Sequence, residues 1–341
     1  MTAVAERVLF RTGSAELVLP DGVDRDSWLA ARRTGFGGSD IAGLLGMSRW
    51  SSPYQVWLDK TGRAAEEDDT WPMFRGREDE SKLRRWFTRQ TGIAVETTGM
   101  WCSIAHPRAF ANPDGLTGDG GLLECKSHSW RMGEEWDQEQ VSDSAELQTQ
   151  WYLGVLDLPH AWVIAQIGDD EPVIRRVERD RLLFDHLVRT ADRFWRDHVV
   201  NDLAPALASI DLDVVKDRYR TVEVAGVEAK DPGTIRALLA ERAEGKAREK
   251  AGAAQAAAAE AQLREHLGHA EAITVAGIPL LTARPNGTFA SSRFAAAHPD
   301  VAAECTTQQP VLDVDLLKTK HPDLYTAFRA RVLRPVATKE K

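Results

Sequence analysis

Cysteine is scarce in this sequence: Cys102, Cys125 and Cys305 are the only three in 341 residues. Three separated thiols form neither a zinc pair nor an iron–sulfur set, and an odd count argues against a disulfide framework. No apolar run is long enough to span a bilayer, and no basic-then-apolar leader opens the chain. These absences lead us to expect a cytoplasmic protein with no membrane segment. An excess of positive charge is also missing. The net charge of −9 argues against non-specific nucleic-acid binding over the whole surface, though it leaves room for a local basic channel. No repeat of fixed period is evident.

What is present describes a globular chain, with 43% hydrophobic and 28% charged residues. The length suits two domains. Most of the eleven tryptophans fall between Trp28 and Trp195, which marks that portion as the packed domain. Composition shifts after Val222. Asp231-Pro232 opens a segment rich in Ala, Glu and Lys, of high helix propensity but with few large apolar residues. It reads as one long helix or as an antiparallel pair broken near Gly252. A hairpin (Ile273–Val275 with Pro279–Leu281) and further helices at Ser291-Ser292 and over Tyr325–Val332 follow. The expected division is therefore 1–222 as a core domain and 223–341 as a helical extension with a small hairpin, serving binding or assembly.

Chemistry concentrates at Asn112-Pro113-Asp114-Gly115, followed by Leu122-Leu123-Glu124-Cys125-Lys126. Pro-Asp-Gly reads as a tight turn, and Leu122 onward as a strand reached through a Gly-rich hairpin. Residues two apart on a strand share a face, so Glu124 and Lys126 point one way and Leu123 and Cys125 the other, into core. Two carboxylates and an ammonium so placed suit a hard divalent cation held by oxygen. A lysine there can orient a water or stabilise charge on a phosphoryl group. Separately, each piece is most often an ion pair or a plain turn; it is their order that points to a site.

Upstream, the sequence predicts a helix over Phe74–Gln90, ending before Gly92. Its apolar stripe is Leu83, Trp86 and Phe87, and one turn back that stripe reaches Glu80. A carboxylate on a core-facing stripe needs a cation, an arginine or a helix dipole beside it. Arg75, Arg77, Lys82, Arg84, Arg85 and Arg89 give the same helix a basic face suited to phosphates, unless it is simply solvated. Downstream, a helix over Ser144–Leu156 carries the polar Gln148 on the stripe of Trp151, Tyr152 and Val155. Gln148 either satisfies a buried backbone group or helps hold a water or a phosphate. Nearer the N-terminus, Asp26-Ser27 reads as the cap of a helix containing Trp28 and Arg32. Gly37-Gly38-Ser39-Asp40 reads as a glycine-rich turn capped by Ser39, with Arg32 able to fork onto an anion. Ala161–Ile167 and Val173–Val177 complete a mixed α/β core of about five strands.

Taken in order, Trp28…Arg32, Gly37-Gly38-Ser39-Asp40, Gly76-x-x-x-Glu80, Asn112-Pro113-Asp114-Gly115, Glu124-x-Lys126 and Gln148-x-Gln150 resemble the lambda-type phage exonucleases, most closely the YqaJ-like viral recombinase branch of the PD-(D/E)XK nucleases. The resemblance covers about Trp28 to Ile167. It implies a restriction-endonuclease-like core and a Mg²⁺ ion, with Mn²⁺ as the alternative. The implied activity is 5′→3′ degradation of linear double-stranded DNA, producing single-stranded tails for phage-type recombination in a bacterial or phage-infected cell. It implies Asp114, Glu124 and Glu80 as metal-linked acids, Lys126 as the catalytic lysine, Gln148 at the active site, and Arg32 and Ser39 on the terminal 5′ phosphate. A homotrimer and a single-strand annealing partner are further family traits. Two other readings use the same residues: a structure-specific or restriction-like endonuclease, and a non-catalytic adaptor for DNA ends.

Overall fold

The computed structural model describes residues 10–65, 69–130, 136, 140–222, 224, 226–283, 291–304, 312 and 314–327. Two compact units meet between Arg218 and Tyr219, four residues before the boundary expected at 222.

The first unit opens with strands β1 (Phe10–Arg11) and β2 (Ala15–Leu19). Helix α1 (Arg25–Arg32) is capped by Asp24, which accepts the Ser27 N–H at 2.9 Å, so the cap falls earlier than Asp26-Ser27. Helix α2 (Gly38–Leu44) is entered through Gly37 rather than capped by Ser39, which sits in its first turn. The Asp40 carboxylate accepts the Gly37 N–H at 2.9 Å and closes that turn from inside. Helix α3 (Pro53–Lys60) has Ser52 as cap and Pro53 at its first position, as its sequence predicts. Helix α4 (Trp71–Thr91) starts a turn earlier than expected, with Pro72 in its first turn, and stops at Gly92, whose φ of 75° suits glycine.

Strands β3 (Val95–Glu96), β4 (Met100–Ser103), β5 (Phe110–Ala111), β6 (Gly115–Thr117) and β7 (Leu122–His128) follow. Then come helix α5 (Asp143–Leu156), strands β8 (His160–Ile167) and β9 (Val173–Glu178), and helix α6 (Arg181–Phe194). The main sheet has five strands in the order β3-β6-β7-β8-β9. It is mixed: β7 and β8 run parallel, joined through α5, and the other neighbours are antiparallel. This is the expected mixed sheet of about five strands flanked by helices. A second sheet, β1-β2-β4-β5, was not expected. Its strands are two to five residues long, and their pairing joins segments far apart in the chain, which local pattern does not reveal.

Alternation along β7 divides the core. Leu122 joins the large cluster containing Trp151 and Val155 of α5. Leu123 joins Leu83 and Phe87 of α4 and Ile164 of β8 on the opposite side. All four residues of this smaller cluster are at most 1% exposed, so truncating any one to Ala costs about 2–5 kcal/mol. The clamp on both faces fixes the direction of every later side chain on β7, Glu124 and Lys126 included.

Helix α7 (Leu212–Arg218) closes the first unit. The second unit contains one uninterrupted helix, α8 (Pro232–Leu267), which passes straight through Gly252. Asp231 caps it by accepting the N–H groups of Gly233 and Thr234. Strands β10 (Ala272–Val275) and β11 (Ile278–Thr282) form the expected hairpin. Its turn places Ala276 and Gly277 at φ 49° and 80°, the left-handed pair that matches strand twist. Among the described residues, four short helices follow: α9 (Ser291–Ala297), α10 (Pro299–Glu304), α11 (Val314–Lys320) and α12 (Pro322–Ala327). The remainder of the helix expected over Tyr325–Val332 lies outside the described residues.

Candidate active site

The site originates where two strands part. Strand β6 pairs with β7 only at Leu122 and Leu123. Beyond them β7 still needs partners on that side, and the Asp114 carboxylate supplies one by accepting the Cys125 N–H at 2.6 Å. The parting opens a cavity of about 300 Å³ lined by Glu80, Asp114, Glu124, Lys126, Gln148 and Tyr152. Every active-site residue expected from the sequence on α4, β7 and α5 therefore lines one space.

Inside it, Lys126 Nζ donates to Glu124 Oε1 at 2.7 Å and to Gln148 Oε1 at 2.8 Å. Gln148 Nε2 donates to the same Glu124 oxygen at 2.6 Å and to the Tyr152 hydroxyl at 3.2 Å. Glu124 and Lys126 do share a face, with Cys125 turned the other way. Gln148 thus lines the cavity, whereas Gln150 is structural: it is buried and ties the Glu178 carbonyl to the Asp180 N–H.

The electrostatics are adverse without a cation. Burial, with Asp114 beside it, pushes the Glu124 carboxyl up to about 8. Burial and Glu80 push Asp114 up to about 6. Glu80 is raised too, by burial first, with Arg84 opposing and Glu124 adding. Burial works against the charge of Lys126, but Glu124 and Asp114 more than offset it and hold its pKa above the ordinary value. Oε2 of Glu124 is buried and finds no hydrogen-bond donor among the described residues. An unpaired carboxylate oxygen in a pocket of mutually destabilised acids is a donor set that fits a hard cation. No three His, Cys, Asp or Glu side chains among the described residues converge as a closed cluster.

Glu80 differs in detail from its expectation. It is not core-facing but about one-third exposed at the cavity rim, 3.6 Å from Arg84 Nη1. Arg84 also donates to the Asp114 carbonyl at 3.1 Å, bridging α4 to the turn. The basic face of α4 is partly neutralised, Arg77 by Asp69 and Lys82 by Asp79. Asp79 accepts from Ser127 at 2.7 Å and fastens α4 to β7.

Arg32 and Ser39 come together as well. Arg32 Nη2 donates to Ser39 Oγ at 3.1 Å and to Asp40 Oδ1 at 2.5 Å, and its guanidinium lies over Trp28. The sequence reading missed Asp40 and Lys60. Lys60, without exposed side-chain surface, donates to Asp40 Oδ2 at 2.7 Å. A basic residue in the last turn of a short helix carries no signal that it will be buried. Burial penalises the Asp40 charge, but Lys60 and Arg32 outweigh it and hold this carboxyl at about 2. A depressed carboxylate contributes stability above its unfolded pKa of about 4 and loses it as pH falls through the folded value. Asp40 therefore contributes roughly 2 kcal/mol at neutral pH, lost between about pH 4 and pH 2. In acid-unfolding curves, Asp40→Asn is expected to show a shallower loss across that window.

Helix α2 reaches this cavity at Gly38. A Cβ there would stand 2.6 Å from Tyr152 Cε1 and 2.8 Å from Gln148 Cγ. Gly38→Ala is expected to displace Gln148 and to cost about 1–3 kcal/mol, read as a lowered denaturation midpoint together with reduced activity.

Asp114, Glu124 and Lys126 on parting strands of a mixed sheet, with Gln148 across from them, reproduce in space the Asp…Glu-x-Lys signature read from the chain. Residues 27–158 match the family model described as a YqaJ-like viral recombinase domain. The uncharacterized protein YqaJ of Bacillus subtilis (strain 168) is 34% identical over 210 residues, which cover 59% of this chain and 65% of that relative. Among solved structures, the alkaline exonuclease LHK-Exo from Laribacter hongkongensis superposes with a TM-score of 0.43 at 21% identity, over 57% of this chain and all of that one. A phage-related exonuclease from Haemophilus somnus 129PT superposes with a TM-score of 0.39 at 14% identity, over 50% of this chain and 96% of that one.

Proposed function

We propose that this protein is a metal-dependent DNA exonuclease that degrades linear duplex from the 5′ end and leaves single-stranded tails for phage-type recombination. The observation that carries this reading is the buried Glu124–Lys126–Gln148 network beside Asp114, with one Glu124 oxygen left without a donor. The match of residues 27–158 to the viral recombinase family model supports it. Asp114 and Glu124 would hold Mg²⁺ or Mn²⁺, with Glu80 at the rim. When bound, such a cation supplies Lewis-acid stabilisation of the charge developing on the scissile phosphate. Lys126, held by two acceptors, is positioned to orient the attacking water and to offset the same charge. Gln148 fixes both Glu124 and Lys126. Arg32 and Ser39 would receive the terminal 5′ phosphate. A homotrimer, a single-strand annealing partner and an assembly role for the residues beyond 218 belong to the same proposal.

Digestion of a 5′-phosphorylated linear duplex beside a covalently closed circle, with Mg²⁺, Mn²⁺ or chelator, tests it. Loss of the linear form alone, abolished by chelator, is the expected result. Cutting of the circle would replace the exonuclease by an endonuclease using the same residues. If neither is cut by folded protein, the adaptor reading takes its place.

A further inference from the structure

A buried lysine needs a reason, and Lys60 has one in what it does to Arg32. Lys60 Nζ makes three bonds inside the fold: to Asp40 Oδ2 at 2.7 Å, to Asp59 Oδ2 at 3.0 Å and to the Arg32 carbonyl at 3.2 Å. Asp40 is shared, with Oδ1 on Arg32 and Oδ2 on Lys60. Without Lys60, the Asp40 carboxylate would cancel the charge of Arg32, and the pair would present no net attraction to an anion. With it, two cations share one carboxylate and one positive charge remains. Asp59 adds one negative charge and is offset by Arg33, whose Nε lies 3.9 Å away.

That remaining charge faces outward only at Arg32. Lys60 has no exposed side-chain surface, whereas Arg32 keeps about a quarter of its own. Both Arg32 bonds leave from Nη2, so Nη1 and Nε make no hydrogen bond to a described residue. Ser39 Oγ accepts from Arg32 and retains its own proton to donate. The site borders the catalytic cavity, because Gly38, next to Ser39, packs on Gln148 and Tyr152.

We propose that Lys60 and Asp40 are a positioning pair: Asp40 fixes the Arg32 guanidinium, and Lys60 neutralises Asp40, so that Arg32 presents a full charge to a terminal phosphate monoester. This rests on the reading of Arg32 and Ser39 as the receptor for the 5′ end. Neither Lys60 nor Asp40 touches the DNA; they set the preference for a phosphorylated end through Arg32.

The measurement is the ratio of kcat/KM on one linear duplex carrying either a 5′ phosphate or a 5′ hydroxyl, in Mg²⁺. Both substrates meet the same active molecules, so the ratio does not depend on how much of a variant folds. Wild type is expected to favour the phosphate, and Arg32→Ala to lose that preference. Lys60→Met is expected to lose it by roughly tenfold, the scale of one charge-assisted hydrogen bond, chiefly through KM. Asp40→Asn added to Lys60→Met removes the cancelling charge and buries no unpaired ion. It is expected to restore most of the preference, which a merely structural role for Lys60 does not predict. A wild type indifferent to the 5′ group would remove the underlying phosphate reading. A wild type that prefers phosphate, with Lys60→Met equally selective or with the double variant no better than the single, would overturn the positioning pair alone.

Discussion

Lys126→Ala is expected to lower the rate of linear duplex degradation by about a thousandfold or more while leaving a folded protein. The size follows from what Lys126 holds. Its ammonium bridges Glu124 and Gln148, so truncation removes a charge aimed at the cavity and loosens both residues that hold it. Removing one preorganised donor to a developing negative charge commonly costs 10²–10³ in rate, and the loss of alignment adds to that. The chain should still fold, because the strand is fixed by Leu122 and Leu123 and not by the ion pair. The check is single-turnover degradation beside a thermal melt. A rate within tenfold of wild type would take Lys126 out of the chemistry.

Glu124→Gln is expected to abolish activity and at the same time make the metal-free protein more stable. Glu124 is 3% exposed, and its carboxyl is pushed up to about 8 by burial and by Asp114. For a raised carboxyl, the stabilising state is the protonated one. Its contribution is fully present below the unfolded pKa of about 4.5 and is lost as pH rises through the folded value. At pH 8 wild type therefore carries a destabilisation of a few kcal/mol that a neutral amide lacks. The Gln variant is expected to melt roughly 5 °C or more above wild type at pH 8, with the difference vanishing near pH 4.5. Mg²⁺ should raise the melting temperature of wild type at pH 8 and leave the variant nearly unmoved. An equal Mg²⁺ shift in both proteins would remove Glu124 from the metal site. Stability given up at a functional site is a common exchange, and here its source is specific: acids confined together with one oxygen unpaired.

These two residues were also the most legible in the chain. A strand turns alternate side chains to opposite faces whatever surrounds it, so Glu124-x-Lys126 could be assigned to one face from spacing alone, with Leu123 and Cys125 in the core. Asp114, next to a proline and a glycine, was legible as a turn acid for an equally local reason. The apolar stripe of α4 and the cap of α3 belong to the same class. Glu80 was only half legible: helical periodicity placed it on the stripe of Leu83 and Phe87, but that position comes out at the cavity rim and not in the core.

Composition and local pattern therefore determined the mixed sheet, the separate helical extension, and the pairing of Glu124 with Lys126, because these follow from period, propensity and charge within a few residues. Tertiary structure alone decided the second sheet, the parting of β6 from β7 that turns Asp114 onto the Cys125 N–H, and the burial of Lys60 beneath Arg32. Each of these depends on contacts between segments far apart in the chain. Desolvation, which decides whether a charge is a surface ornament or a working group, is a property of the surroundings and not of the residue.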